Sequence, residues 1–413
     1  MRKDSTIIHI GKKLRLNKVF YLIKFVKDLI YYRGMLWGKL TSIKEILAGS
    51  FPNVEILNYE KVRLYYSFPI FNDGSNKKSE LSEGREYFQY TLRIKNAIVY
   101  GDSNLIALSS KKVLYDMPVF DKAKRYKFTN VYTKIISIKG NDVSYWKGIT
   151  HTMEKAIWMG GNFSWNYYHL LYEFVIKFLQ LNILNIPIDV PVLVDQVCLK
   201  VPQYKELLDI ANKKGYRLIG IDRRSRAKVG ELIYVSCPNF IPPNTATCDY
   251  RADDMQFNIS ALRDLRNYFL PYSSQRKFHR RIFISRKNAS DRRKFNEEAV
   301  IQLFSEFGFE VALPETLSIP DQISLFNQAE WIAGGSGAAF TNLLFCSPNT
   351  KVIIFDKMQI PSSPFATIAH IVNAYLIYIT EEDTNKNIGF NNNHEAFELN
   401  LPYLRNFLIE IGL

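Results

Sequence analysis

Residues 331 to 345 read WIAGGSGAAFTNLLF, and this stretch decides the fold class. Trp331-Ile332-Ala333 is an apolar run of strand type, Gly334-Gly335-Ser336-Gly337 is a run of small residues, and a helical pattern follows through Thr341 and Asn342. Small residues at a strand-to-helix turn let another group approach the backbone closely. The first helical turn adds unpaired N–H groups and a dipole that favours an anion. The pattern is not the G-x-G-x-x-G of a dinucleotide domain, because it comes late in the chain and Phe340 stands where the third glycine belongs. Taken alone, a tight connection without ligand is the alternative reading.

Working outward, RIFIS (281–285) and FEVALP (309–314) read as strands, and KVIIFD (351–356) as a buried one. Between them, 296 to 307 places Val300, Leu303, Phe304 and Phe307 on one helical face with Gly308 as its stop. Ser318 opens a further helix with Asp321 three residues on. This alternation predicts a doubly wound parallel sheet. Upstream, PVLVD, YRLIGI and ELIYVS alternate with a helical stretch at 202–213, which predicts further βαβ units. Residues 239–253 read as a long loop and 259–270 as a helix linking the halves. From 50 to 150 short β-branched and aromatic runs such as RLYYSFPIF, NAIVYG and YTKIISIKG are broken by turns such as Asn72-Asp73-Gly74, a strand-rich pattern.

Residues 18 to 40 put Val19, Leu22, Ile23, Val26 and Ile30 at helical spacing with Lys18, Lys24 and Lys27 among them, an amphipathic basic helix. The lysines interrupt the apolar run before the roughly 18 residues that a bilayer crossing needs. Two readings stay open: a helix packed on the first domain, or one lying on an anionic membrane surface. The expected division is a basic N-terminal region at 1–45, a first domain at 46–275 and a second, doubly wound domain at 276–413, whose last helix can pack back on the first domain.

Among 413 residues, 54 Lys and Arg against 40 Asp and Glu leave a net charge of +14, which attracts phosphates, anionic lipid or nucleic acid. The basic residues are spread, with no zinc-finger spacing and no RNA-binding signature, so nucleic acid is not the expected partner. Aromatic residues make up 14%, enough to fill cores and also suited to stacking on sugar rings. Cys198, Cys237, Cys248 and Cys346 form no CxxC pair and have no His at ligand spacing. Neither a zinc site nor a disulfide framework is signalled, which points to a reducing compartment. Three N-x-S sequons, at Asn162, Asn258 and Asn288, follow no cleavable signal peptide and read as chance.

Two further clusters carry chemistry. Ser285-Arg286-Lys287 ends the strand RIFI, and ligands of open α/β sheets bind outside the carboxyl ends of strands, so it faces the same crevice as the glycine turn. Arg286 is the candidate anion contact because a guanidinium fork holds two oxygens at once, whereas Arg292 and Arg293 read as solvated charges. In GGNFSWNYYHLLYE (160–173), His169 and Glu173 stand four apart on one helical face, where a carboxylate can orient an imidazole and raise its basicity. A satisfied core histidine is the alternative. Asp253-Asp254, in the long loop, reads as surface rather than as a DxD metal signal.

These residues resemble the family 61 glycosyltransferases, which include capsular-polysaccharide-type bacterial enzymes and eukaryotic xylosyl-, arabinosyl- and N-acetylglucosaminyltransferases. The resemblance covers roughly residues 155 to 360. It rests on N-x-x-H-x-x-x-E (Asn166, His169, Glu173), Ser285-Arg286-Lys287, Asn296-Glu297, the GF pair, PETLS, DQISLF and GGSGAAFTNLLF, in that order. It implies an α/β, GT-B arrangement: two Rossmann-like domains facing across a cleft, here with the N-terminal amphipathic helix and a strand-rich extension. It further implies inverting transfer without metal or cofactor, from a nucleotide-sugar (expected UDP-sugar) donor to a glycan or lipid-linked acceptor. By the same resemblance Arg286, Lys287 and the turn Gly335, Ser336, Gly337, Ala338 hold the donor diphosphate. Glu315 lies near the ribose or sugar, and Asn342 helps hold the helix start. His169, aided by Glu173, serves as base, with Trp165 and Asn166 on the acceptor side.

One departure stands out. Family members carry His where this chain has Ser336, in the pattern G-x-H-G-A; serine donates a hydrogen bond but carries no imidazole charge. The first 150 residues match no known pattern and are expected to shape acceptor choice. The expected setting is surface-polysaccharide assembly in the cytoplasm, peripheral at the inner face of the membrane. The rival reading is a non-catalytic glycan- or nucleotide-binding module that keeps the fold. An oxidoreductase is disfavoured by the missing early G-x-G-x-x-G.

Overall fold

The computed structural model describes residues 35–49, 51–71, 80–108, 111–115, 137–139, 142–146, 149–241, 252–289, 294–357, 364–381 and 396–413. It is an α/β protein built on two sheets. The apolar stripe of residues 19–30, Asn72-Asp73-Gly74, Cys248, Arg292 and Arg293 lie outside the described residues.

The first sheet collects β1 (Met35–Thr41), β2 (Val54–Ser67), β3 (Leu81–Tyr100), β4 (Leu105–Ala107), β5 (Lys112–Tyr115), β6 (Ser137–Lys139), β7 (Asp142–Trp146), β8 (His151–Trp158), β9 (Val192–Asp195), β10 (Leu218–Ile221) and β11 (Arg226–Val235). Strand order is β10-β9-β8-β11-β3-β4-β5-β1-β7-β6, with β2 pairing β3. β10, β9, β8 and β11 form a parallel run, as the βαβ pattern predicts. β11 then pairs antiparallel with β3 from Arg226↔Tyr100 to Val235↔Thr91. The strand-rich region is therefore no appendage: β3, 20 residues long, joins it edge to edge with the parallel strands in one sheet.

A second correction concerns the helix expected to run to residue 40. Met35–Thr41 is strand β1, paired in parallel with β5 and antiparallel with β7. The apolar helical spacing ends at Ile30, and pairing on both edges then decides the conformation. Short helix α1 (Ile43–Ala48) follows, with Ser42 and Glu45 forming a capping box.

Helix α2 spans residues 167–183 in three parts, Tyr167–His169, a π-helical Leu170–Val175 and Lys177–Ile183. Then come α3 (Gln196–Lys200), α4 (Pro202–Ala211) and α5 (Ile259–Phe269), the last capped by Asn258. Asp254, expected on the surface, is buried at 1% exposure in a single 3-10 turn, Ala252–Asp254.

The second sheet is fully parallel: β12 (Arg281–Ile284), β13 (Glu310–Ala312), β14 (Trp331–Gly335), β15 (Lys351–Asp356) and β16 (Tyr375–Thr380), in the order β13-β12-β14-β15-β16. Successive side chains point to opposite faces, and both sets are apolar: Ile282 and Ile284 enter one core, Phe283 the other. On the Phe283 side lie α6 (Glu297–Glu306), stopped by Gly308 at φ +76, and the terminal α9 (Leu401–Glu410). On the other side lie α7 (Ile319–Gln328), a 3-10 helix (Ala338–Phe345) and α8 (Pro364–Ile371). α9 does not return to the first sheet: Leu404, Phe407 and Leu408 pack with Leu303 and Phe304 of α6, and Arg405 pairs with Glu306 at 2.6 Å.

One core joins the halves. Leu170, Leu171 and Phe174 of α2 share a cluster with Leu265 of α5, Phe326 of α7 and Leu343 of the 3-10 helix. Among the described residues no helix is long and apolar enough to cross a membrane.

Candidate functional site

The order of the second sheet reverses between β12 and β14, since the chain leaves β12 to one side for β13 and later builds outward on the other. Such a switch point opens a crevice at the carboxyl ends of its two strands. Both anion features of the sequence sit there: Ser285-Arg286 follows β12, and the glycine turn ends β14. Arg286 lies across the turn. Its Nη1 donates to the Ser336 carbonyl at 2.8 Å, and its own N–H donates to Glu297 Oε1 at 2.6 Å. A Cβ at Gly335 would stand 2.8 Å from Arg286 Cδ and 2.7 Å from the Phe295 ring, and one at Gly337 would run into the guanidinium. The glycines are needed because the arginine occupies the space a side chain would take.

The turn leads into a 3-10 helix rather than an α-helix, and its leading N–H groups have no intrahelical acceptor. Ser336 is 8% exposed; its N–H donates to the Phe355 carbonyl at 2.8 Å and its carbonyl accepts from Arg286. Its backbone is thus spent on holding the turn. Lys287 is exposed at the same strand end, with its N–H on Ser285 Oγ at 3.1 Å. Glu315, in the turn after β13, is exposed and accepts from Asn288 Nδ2 at 3.0 Å. Asn342 is fully buried: Oδ1 accepts from Tyr167 at 2.7 Å and Nδ2 donates to Gln322 at 2.9 Å. It supports the helix after the turn and does not line the crevice.

On the other half, Asn166 caps α2 by accepting the Tyr168 N–H at 3.0 Å. His169 and Glu173 meet as their spacing predicts, Nδ1 against Oε1. The Glu173 side chain is 5% exposed and that of His169 19%, so the ring sits at the core's rim rather than inside it. Phe163 packs on the ring at 5.0 Å between centroids and Tyr168 meets it edge-on at 5.1 Å. Among the described residues Nε2 has no hydrogen-bond partner. With Nδ1–H donated to the carboxylate, Nε2 carries the lone pair of a base. The widened π turn holding Glu173 is a feature that often marks functional sites.

Two contacts that the sequence reading missed bring the halves together. Tyr167 donates to Asn342, and Tyr172 donates to the Thr341 carbonyl at 2.7 Å, so the helix bearing His169 is bonded to the helix issuing from the glycine turn. Burial raises both tyrosines above the usual phenol range, which keeps the hydroxyls as donors. A third missed group is Asp195, at the carboxyl end of β9. It is 3% exposed and accepts the N–H groups of Asp102 at 2.6 Å and Gly161 at 2.8 Å. Burial raises its carboxyl to about 7 even though those two bonds pull it down. An acid ending the run PVLVD was the available signal. Trp165, the other acceptor-side candidate, is 43% exposed, with its carbonyl accepting from Tyr204 at 2.9 Å.

A family model described as Glycosyltransferase 61 matches residues 167–353. That segment identifies the chain as a glycosyltransferase. The matched segment starts with α2 and ends within β15, so it holds His169, Glu173, Arg286 and the glycine turn that the fold gathers. No curated protein matches the chain. A glycosyltransferase moves a sugar from a donor to an acceptor, and the matched segment carries that chemistry. Cys198, Cys237 and Cys346 are buried, and burial pushes the thiols of Cys198 and Cys346 up, so neither of these two is a ready nucleophile for that chemistry.

Proposed function

We propose that this glycosyltransferase moves a sugar, with inversion, from a nucleoside-diphosphate donor to a hydroxyl of a glycan or lipid-linked acceptor. UDP is the first choice of nucleotide, and the cleft of a GT-B arrangement lies between the mixed sheet and the parallel sheet. The observation that carries this reading is the bond of Tyr167 to Asn342, which ties the His169–Glu173 pair to the Arg286-covered turn at the switch point.

In the proposed step His169 Nε2 takes the proton from the acceptor hydroxyl as its oxygen bonds to the anomeric carbon. The bond from that carbon to the diphosphate oxygen breaks on the opposite side, which inverts the centre. Glu173 stabilises the imidazolium. Arg286, with Lys287 beside it, and the leading N–H groups of the 3-10 helix meet the charge that grows on the departing diphosphate. No cofactor or metal enters the step. A role in surface-polysaccharide assembly at the inner face of a membrane is supported by the net charge of +14, which favours an anionic surface.

Calorimetry with UDP, GDP and NAD, followed by turnover of the matching nucleotide sugar, tests this reading. The expected result is binding of a nucleoside diphosphate that weakens in Arg286→Ala. Preference for NAD would replace it with an oxidoreductase, and donor binding with no turnover of any sugar would leave a binding module.

A further inference from the structure

A cavity of about 210 Å³ lies at the carboxyl ends of β9 and β10, lined by Asp102, Ser164, Trp165, Asp195, Lys200 and Arg223 among others. None of the groups assigned to base or donor lines it. We propose that this cavity is a carbohydrate subsite that seats one pyranose unit of the acceptor, with the Trp165 indole as its stacking face. The proposal rests on the glycosyltransferase reading given above.

Three observations carry it. Position is the first: in parallel αβ layers ligands bind at the carboxyl ends of strands, and this is that edge of the parallel part of the first sheet. The cavity also opens beside the seam between the halves. The Trp165 carbonyl is held by Tyr204, and the preceding Gln203 donates to the Glu315 carbonyl at 2.8 Å.

Chemistry is the second. A pyranose presents C–H faces that pack on an aromatic ring and equatorial hydroxyls that need donors and acceptors around its edge. Trp165, 43% exposed, supplies the ring, and Ser164, Lys200, Arg223 and the aspartates supply the edge. Ligand pockets commonly measure roughly 300 to 1,000 Å³. At about 210 Å³ the cavity suits a single sugar ring and not a nucleotide.

Preorganisation is the third. Asp195 gathers the N–H groups of Asp102 and Gly161, while the Asp102 carboxylate accepts the Phe163 N–H at 3.1 Å and faces Arg223 Nε at 3.1 Å. A Cβ at Gly161 would run into Asn104 Oδ1, so the wall depends on that glycine. A wall set before the ligand arrives costs little to organise on binding. It also fixes Phe163, whose ring lies 5.9 Å from Trp165 and 5.0 Å from His169. A sugar stacked on Trp165 therefore has its neighbour directed toward the base, which makes the cavity a specificity element one unit away from the accepting hydroxyl.

Saturation-transfer NMR on the full chain without nucleotide, using the methyl glycosides of glucose, galactose, N-acetylglucosamine and glucuronic acid, tests the subsite. At least one glycoside should bind, weakening about tenfold or more in Trp165→Ala, the scale of one lost stacking face, and recovering in Trp165→Phe. His169→Ala should leave that binding unchanged. Failure of all four glycosides, or binding indifferent to Trp165→Ala in a folded protein, overturns the proposal. The two readings fail separately. Trp165-dependent binding together with parent-rate transfer by His169→Ala keeps the subsite and removes the base, whereas abolished transfer in His169→Ala with no glycoside bound keeps the base and removes the subsite.

Discussion

Replacing Glu173 with Gln tests whether the buried carboxylate works through the imidazole. The amide keeps the size and one acceptor oxygen for Nδ1–H and removes only the charge. Before transfer the ring is neutral; as the hydroxyl proton arrives it becomes a cation beside a carboxylate whose side chain is 5% exposed. A hydrogen bond to a charged group is worth about 1.5 to 3 kcal/mol and a neutral one about 0.5 to 1.5, so the transition state loses about 1 to 2 kcal/mol. That is roughly a fivefold to thirtyfold drop in rate. His169→Ala removes the proton acceptor itself and should cost roughly 100-fold to 10,000-fold. Because Glu173 acts through the ring, the double variant should be no slower than His169→Ala alone. Single-turnover transfer, with donor affinity from calorimetry and melting temperature as controls, reads all three. The reasoning is refuted by a folded Glu173→Gln protein at the parent rate, or by a double variant slower than His169→Ala by the full Glu173 factor.

Arg286→Ala should weaken nucleoside-diphosphate binding by about 1.5 to 3 kcal/mol in calorimetry, and unchanged affinity would take Arg286 out of the site. Tyr167→Phe strips the 2.7 Å donor from Asn342, which is fully buried, and should destabilise the protein by about 1 to 3 kcal/mol in urea unfolding. No measurable change would show that the bridge between the halves contributes nothing. Asp195 holds its proton up to about 7 in the folded chain against 3.8 for the free group, so the native state binds a proton that the unfolded chain has released. Its contribution is full below pH 4 and is lost as pH rises through 7, so stability should fall over that window. Asp195→Asn should flatten this slope, and an unaltered slope would mean that another group sets it.

The amino-acid sequence alone determined those features whose physics is local. Parallel strands buried on both faces are continuous apolar runs, so RIFI and KVIIFD could be read directly. Helix ends are written in neighbouring residues: Gly308 adopts φ +76, and Ser318 accepts the Asp321 N–H. The Asp321 carboxylate pairs with Arg276, a partner 45 positions away that local sequence does not announce. His169 and Glu173 met because a helix places residues four apart side by side.

What the tertiary structure decided is non-local. Strand β1 exists because residues more than 70 positions later come to lie on both its edges, and no periodicity within 35–41 records that. Tyr167 and Asn342 stand 175 positions apart, Asp195 and Asp102 93 apart, and each pair is joined by a bond that only packing could choose. A hydrogen-bonding side chain announces that it needs a partner; which partner it finds depends on what the folded layers bring within about 3 Å of it.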